Sequence, residues 1–547
     1  MPNHVRWMFR FALVVFAACG VTKELARADD LNAVRFIQPN IPERGSSFDQ
    51  LFDQTTSLEK EQRWGEALQI YSDAIRSNPD NPAIRQRQLL AQIHYDLNRR
   101  YNDISFRTTV RDTDSSHALA VYAEVLNKIE TYHVQTPDWA RITALGGQSL
   151  EVALSDPAFI KFHAPQITDL QAATTSQLVR QTLDHFSVKN NQDAYVVTSS
   201  LARQLEARIG LSPAATIYEF IFGSMIALDP YSSFMTETQF NETMSQIEGN
   251  FVGLGVELKT MPQKLEIVGV IPEGSAGKAG LQAGDLILAV DNQLTEKVGS
   301  EAAADLLRGL EGTATVLTIQ RGSQVQRMSL VRRQVEIPSI IDARMIEPGI
   351  GYIRIASFQK TTTRDFDAAI LRMNQQGLTG LIVDVRGNPG GLLSSSVEIA
   401  DRFLQSGIVV STRGRNPMED FVHHAVPKGT WNVPLVVLVD ENSASASEIF
   451  AAAIADHKRG RIVGTRSYGK GSVQGIFPLS VSGGGIRLTT AKFFGPNGEA
   501  IQNNGVKPDV EVHAAAKVAA GATADATNES DAALSVGLKI VRQSAVR

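Results

Sequence analysis

Three short stretches of the 547-residue chain set nucleophilic, basic or anion-binding groups close together. The first, "VGTRSYGKGSVQG" at 463–475, comes within one residue of a phosphate-binding loop. Gly464, Gly469 and Lys470 satisfy G-x-x-x-x-G-K, but Gly471 stands where a magnesium-binding Ser or Thr belongs. The second, "ENSASASEIF" at 441–450, puts small hydroxyl residues at a helix start, and Ser445-Ala446-Ser447-Glu448 reads as an S-x-x-E capping box. The third, "DVRGNPGG" at 384–391, ends a strand pattern in a glycine turn whose main-chain N–H groups can face a ligand.

Local pattern weighs the chemistry each would support. A phosphate loop runs from a strand into a helix, so that the helix N-terminus meets the phosphates. "RIVG" supplies the strand, but "GSVQGIFPLS" is a poor helix, and the nucleotide reading fails there. On a strand instead, Lys470, Ser472 and Gln474 would point to one face. Ser467-x-x-Lys470 matches the S-x-x-K of penicillin-recognising enzymes, yet that pair needs a helix and Gly469 weakens one. No G-x-S-x-G elbow is present, and His423, His424, His457 and His513 have no recognisable context, which argues against a Ser-His-Asp triad. No H-E-x-x-H or Cys/His cluster offers a catalytic zinc site.

The elements that must position these groups form a multidomain chain, since this length exceeds what one core supports. With 43% hydrophobic and 20% charged residues the composition is that of a globular protein, and a net charge of -5 gives no basic stripe for nucleic acid. Residues 1–28 read as a signal peptide: Arg6 and Arg10, a short apolar run at 11–18, and an A-x-A site at Ala26-Arg27-Ala28. Cleavage there removes Cys19, the single cysteine. A lipoprotein reading of "FAACG" competes, with Phe16 a poor fit to it.

Residues 29–115 are helical in pattern, and Ala67, Tyr71, Ala74 and Pro79 have the spacing of one tetratricopeptide-like hairpin with no second copy. A helical domain follows at 116–245; its segments 118–159 and 194–234 both end in a Leu, Asp-Pro, Phe pattern, "LSDPAF" and "LDPYSSF". At 246–335, β-like runs and "AGLQAGDLI" resemble a PDZ domain. In that fold the loop Gly253-Leu254-Gly255-Val256 would offer N–H groups to a peptide's C-terminal carboxylate while the peptide adds a strand. Residues 336–513 alternate strand and helix signals as an α/β core, with "PLVVLVD" suited to a strand buried on both faces. An Ala-rich linker and a short helix complete the chain at 514–547.

Taken in order, "LDPYSSFM", "NFVGLGVEL", the PDZ-like unit, "DVRGNPGG", "SASASEI", "YGKGSVQ" and "GPNGEAIQNNGVKPDVEV" resemble the C-terminal processing (tail-specific) serine peptidases. The resemblance implies a Ser-Lys catalytic pair at Ser445 and Lys470, with Gln474 orienting the amine. It implies an oxyanion hole from the N–H groups of Ala446 and Gly391, and a PDZ domain that reads exposed protein C-termini. It implies neither metal nor organic cofactor. The expected protein is an exported endopeptidase of the periplasm or cell envelope, acting on protein or peptide substrates. The helices at 29–115 have no counterpart in that pattern and offer a surface to an adaptor protein. The alternative, a catalytically silent PDZ scaffold, sits badly with an intact Ser445, Lys470 and Gln474 set.

Overall fold

The computed structural model describes residues 48–513 and 531–545, apart from 79, 262–263, 299–302, 305, 308, 310 and 428. The signal-peptide residues, Cys19, Pro79 and the Ala-rich linker therefore lie outside the described residues.

Helices Asp49–Lys60, Trp64–Ser77 and Pro82–Asn102 bury one small core of their own, built on Phe52, Leu68, Tyr71, Ile75 and Ile84. The tetratricopeptide-like residues Ala67, Tyr71 and Ala74 share the second of these helices, which Trp64 opens by stacking on His94 at 3.8 Å. Asn81 caps the third helix, accepting from Ala83 N and Ile84 N, with Pro82 at its first position. A larger bundle follows, centred on Pro213–Leu228, a helix buried on nearly every face. Arg100 and Glu219, both buried, join the two helical groups through a 2.6 Å ion pair.

The two Asp-Pro segments share a cap and then diverge. Asp156 accepts from Ala158 N and Phe159 N and launches the Pro157–His163 helix. Asp229 accepts from Tyr231 N and Ser232 N in the same way, but the chain leaves extended as strand Ser233–Met235.

Helix Glu237–Glu248 starts in a capping box of Thr236 and Gln239 and stops at Gly249, whose φ of +82° suits glycine. Strand Asn250–Gly253 then pairs with Arg333–Glu336 as an antiparallel ribbon. Beyond this ribbon lies a sheet in the order 256–261, 264–270, 286–290, 314–321, 324–331, around a core of Leu265, Ile267, Ile287, Leu317 and Ile319. The run "NFVGLGVELKT" thus divides between ribbon and sheet, and strand Val256–Met261 is a sheet edge.

The α/β core is a six-stranded sheet in the order 340–347, 350–355, 380–384, 435–439, 461–464, 510–511. Its first pair is antiparallel and the rest are parallel, and Gly380–Asp384 and Leu435–Val439 are buried along their whole length, as their apolar runs require. Helix Ala532–Ala545 covers part of one face, with Ala533 and Val541 packed among Ile382, Val436 and Leu438. A second, antiparallel sheet carries Ser472–Pro478 on Gly485–Phe494, and Ser233–Met235 from the helical bundle joins its edge. In the run "FPLSV" the strand closes at Pro478, and Leu479 already belongs to the hairpin turn, where its N–H reaches Gly484 O. The molecule is a multidomain α/β protein.

Candidate active site

Ser445 ends the loop after the central strand Leu435–Val439 and stands one residue before helix Ala446–Asp456. Its φ of +54° and ψ of -113° lie in a region that L-residues avoid, at a cost on the order of 1–3 kcal/mol. Such strain persists only where the surroundings over-determine it. Here they do. Ser443 Oγ donates to Val385 O at 2.9 Å, Ser447 Oγ donates to Asn388 O at 3.0 Å, and Ala444 N donates to the same Asn388 O at 3.0 Å. The neighbouring serines are thus spent on the main chain, and of the three Ser445 alone stands at the strained position.

The glycine turn packs directly under this loop. Gly387 N donates to Asp440 Oδ1, and Asn388 holds the turn by accepting from Gly390 N and donating to Ile355 O. A Cβ on Gly390 would lie 2.8 Å from Ser445 Cβ and 3.1 Å from Ala446 N, and one on Gly391 would lie 2.0 Å from Phe358 O. Both positions have positive φ, so glycine is required twice over. Phe358 N donates to Gly390 O and Leu392 N donates to Phe358 O, which leaves the intervening Gly391 N–H unused. Neither the Gly391 N–H nor the Ala446 N–H meets an acceptor among the described residues.

Lys470 lies on another element, the loop between strands Arg461–Gly464 and Ser472–Pro478. That loop contains no helix, so neither the phosphate-loop nor the S-x-x-K geometry forms. Its N–H groups are moreover taken by an acid. Glu448, 0% exposed, accepts from Gly469 N at 2.6 Å, Lys470 N at 2.8 Å, Ser467 Oγ at 2.6 Å and Ser445 N at 2.9 Å. A phosphate would face this carboxylate rather than open donors. Burial pushes the Glu448 carboxyl above its ordinary range, against the opposing pull of these hydrogen bonds. Tyr468 N donates to Ser443 O at 3.0 Å and Gly471 N donates to Gln502 Oε1 at 2.9 Å, so the lysine loop is pinned on both sides.

The Lys470 Nζ lies 4.6 Å from the centre of the buried Tyr231 ring. Gln474 shares a strand face with Ser472 and donates from Nε2 to Ser472 Oγ at 3.0 Å and Thr489 Oγ1 at 3.4 Å. Lys470 itself precedes that strand, and a register irregularity falls between Val473 and Gln474. Thr489 in turn donates to Asp229 Oδ1 at 3.0 Å. Burial pushes Asp229 up, but hydrogen bonds from His133, Ser232 and the Tyr231 N–H outweigh it and hold the carboxyl below its ordinary range.

The weighed histidines lie in other settings: His423 and His424 on an edge strand, His457 Nε2 2.8 Å from Ile408 O, and His513 exposed beside Glu511. Among the described residues, no group of three or more His, Cys, Asp and Glu side chains is placed to hold a metal.

In the PDZ-like unit, the Leu254 side chain is 2% exposed and belongs to the core, its carbonyl accepts from Ala276 N, and Gly255 O accepts from Ile271 N. What the loop leaves open is main chain: the N–H groups of Leu254 and Gly255 meet no acceptor among the described residues, beside the edge strand that Val256 begins. Gly253 closes the ribbon opposite Arg333.

In the sequence Glu448 reads only as a helix cap, and nothing local marks Tyr231, Asp229 or His133 as part of this candidate site. The S-x-x-E box and the "LDPYSSF" motif were the signals present, but the partners of both lie far away in the chain.

Fold and sequence together define a serine-type peptidase joined to a PDZ domain. The model of peptidase family S41 matches residues 349–512 and that of the PDZ domain matches residues 266–321. A carboxy-terminal-processing protease of Bartonella bacilliformis is 38% identical over 300 residues, covering 53% of this chain and 68% of that one. A carboxyl-terminal-processing protease of Picosynechococcus is 32% identical over 317 residues, covering 56% and 76%. Among solved structures, a photosystem II D1 C-terminal processing protease aligns at 23% identity over 72% of this chain and 93% of that one, with a TM-score of 0.37. The chain belongs to the S41 family of carboxy-terminal-processing proteases.

Proposed function

We propose that this protein is an exported endopeptidase that cuts protein substrates near their C-termini, with Ser445 as nucleophile and Lys470 as general base. A serine hydroxyl becomes an effective nucleophile when a neighbouring base removes its proton. Lysine can be that base where its surroundings lower the ordinary pKa of about 10.4. The observation that carries the reading is the Glu448 carboxylate, which bonds the main chain of both residues. The open N–H groups of Ala446 and Gly391 would receive the oxyanion, each worth on the order of 3 kcal/mol of barrier. With its Nε2 on Ser472 and Thr489, Gln474 has its Oε1 left to accept from the lysine amine.

The Gly253–Val256 segment would hold a substrate's terminal carboxylate while the substrate adds a strand beside Val256–Met261, delivering the chain to Ser445. Export fits the N-terminal pattern of charge, apolar run and A-x-A site. Among the described residues no helix is long and apolar enough to cross a membrane. The test is turnover of an unfolded protein by the full chain and by Ser445→Ala. The variant should be inert and the wild type active; equal rates in the two, or none in either, would overturn the proposal.

A further inference from the structure

The helical bundle contributes an aromatic wall to the site. Tyr231, 9% exposed, presents its ring to Lys470 Nζ at 4.6 Å from the centroid. It is held there from three directions. Asp229 Oδ1 accepts from Tyr231 N at 2.8 Å and Ser232 N at 3.0 Å, which fixes the turn. The Thr489 hydroxyl ties Asp229 to the strand paired with the one that bears Gln474. His133 Nε2, from a ring 3% exposed at the end of helix Ser115–Tyr132, meets Asp229 Oδ2 at 3.1 Å.

We propose that Tyr231 is the electrostatic partner of the general base: its ring face stabilises the ammonium that forms on Lys470 as the Ser445 proton arrives. This rests on the reading of Lys470 as the base. In the step concerned, Ser445 Oγ bonds to the substrate carbonyl carbon, the Oγ proton moves to Nζ, and the carbonyl electron pair moves onto oxygen. The same proton then passes to the departing amine. A cation over the negative face of an aromatic ring is stabilised most strongly where water is excluded, and the ring needs no hydroxyl for this. Among the described residues, charged groups on the neighbouring elements include Glu448, which accepts the Lys470 N–H, Asp229 with His133 in the turn that carries Tyr231, and Lys492, in register with Ser472.

The test is the pH dependence of kcat for Tyr231→Phe, Tyr231→Leu, and a series with Phe and its 4-fluoro, 3,5-difluoro and pentafluoro analogues at 231. Tyr231→Phe should keep the wild-type profile. Tyr231→Leu should lose roughly fivefold at the alkaline plateau and shift the midpoint of the rise to lower pH, so that the loss shrinks in acid. Fluorination, which keeps the ring's shape while draining its negative face, should reproduce that shift stepwise and keeps the test open if the leucine variant does not fold. A pH-independent loss in Tyr231→Leu, a loss in Tyr231→Phe as large as in Tyr231→Leu, or indifference to fluorination would each overturn the assignment. Failure of the underlying reading would show separately, as turnover retained by Lys470→Ala.

Discussion

Ser445 and Lys470 hang from a single atom: Glu448 Oε2 accepts the main-chain N–H of both, at 2.9 and 2.8 Å. Because Glu448 is itself in the first turn of the helix that Ser445 opens, its buried side chain registers the main chain of the lysine loop to the main chain of Ser445. Glu448→Gln keeps the volume but sets an NH₂ group against one pair of these donors. We expect a stability loss on the order of 2 kcal/mol and a fall in kcat of roughly a hundredfold, with KM nearly unchanged. Denaturant unfolding and steady-state kinetics check this; an unchanged kcat would remove the positioning role.

Lys470→Arg should be as inactive as Lys470→Ala, with thermal unfolding close to wild type in both. Guanidinium stays protonated in proteins, so it cannot take the serine proton whatever its placement. Measured turnover by the arginine variant would exclude a lysine base.

The backbone of Ser445 predicts a trade of stability against function. Ser445→Gly should be more stable than Ser445→Ala by about 1 kcal/mol, because glycine adopts the positive φ without a Cβ penalty. Both should be inactive. Equal melting temperatures for the two would mean that this conformation stores no strain.

Acid should loosen the Tyr231 turn. The carboxyl of Asp229 is held below its ordinary range in the fold, so its contribution is present above the unfolded value of about 3.9 and is lost as pH falls through the folded one. Urea unfolding at pH 7, 4 and 3 should show wild-type stability dropping more steeply than that of Asp229→Asn, with the two curves converging at the acid end. Parallel curves would contradict the shift.

The PDZ-like loop predicts a charge requirement. Amidating the C-terminus of a peptide substrate removes the carboxylate that the N–H groups of the 253–256 loop would bond, at roughly 1.5–3 kcal/mol per charge-assisted bond. kcat/KM should fall at least tenfold by that estimate, and deleting residues 249–335 should abolish the difference. Equal cleavage of free-acid and amidated peptides by the full chain would show that the domain does not read C-termini.

Sequence by itself determined the elements that depend on near neighbours. The apolar runs at Gly380–Asp384 and Leu435–Val439 become strands buried on both faces, because a run without alternation can only be satisfied between two layers. "SASASEI" opens a helix, and in "DVRGNPGG" Gly390 and Gly391 mark a turn with no room for a side chain. The Lys470 loop fails as a phosphate cradle for a reason already visible in "GSVQGIFPLS", which does not form a helix. Tertiary structure decided the rest. Glu448 looks like a local cap because its first partner is three residues away, while the others, at Ser467, Gly469 and Lys470, come from a different strand connection. Tyr231 belongs to a helical bundle by its place in the chain and reaches the lysine only because Ser233–Met235 adds to the sheet that carries Gln474. Local propensities fix periods and turns, but a buried carboxylate and an aromatic face act on whatever distant segment folding brings against them, and that choice is made by packing the layers together.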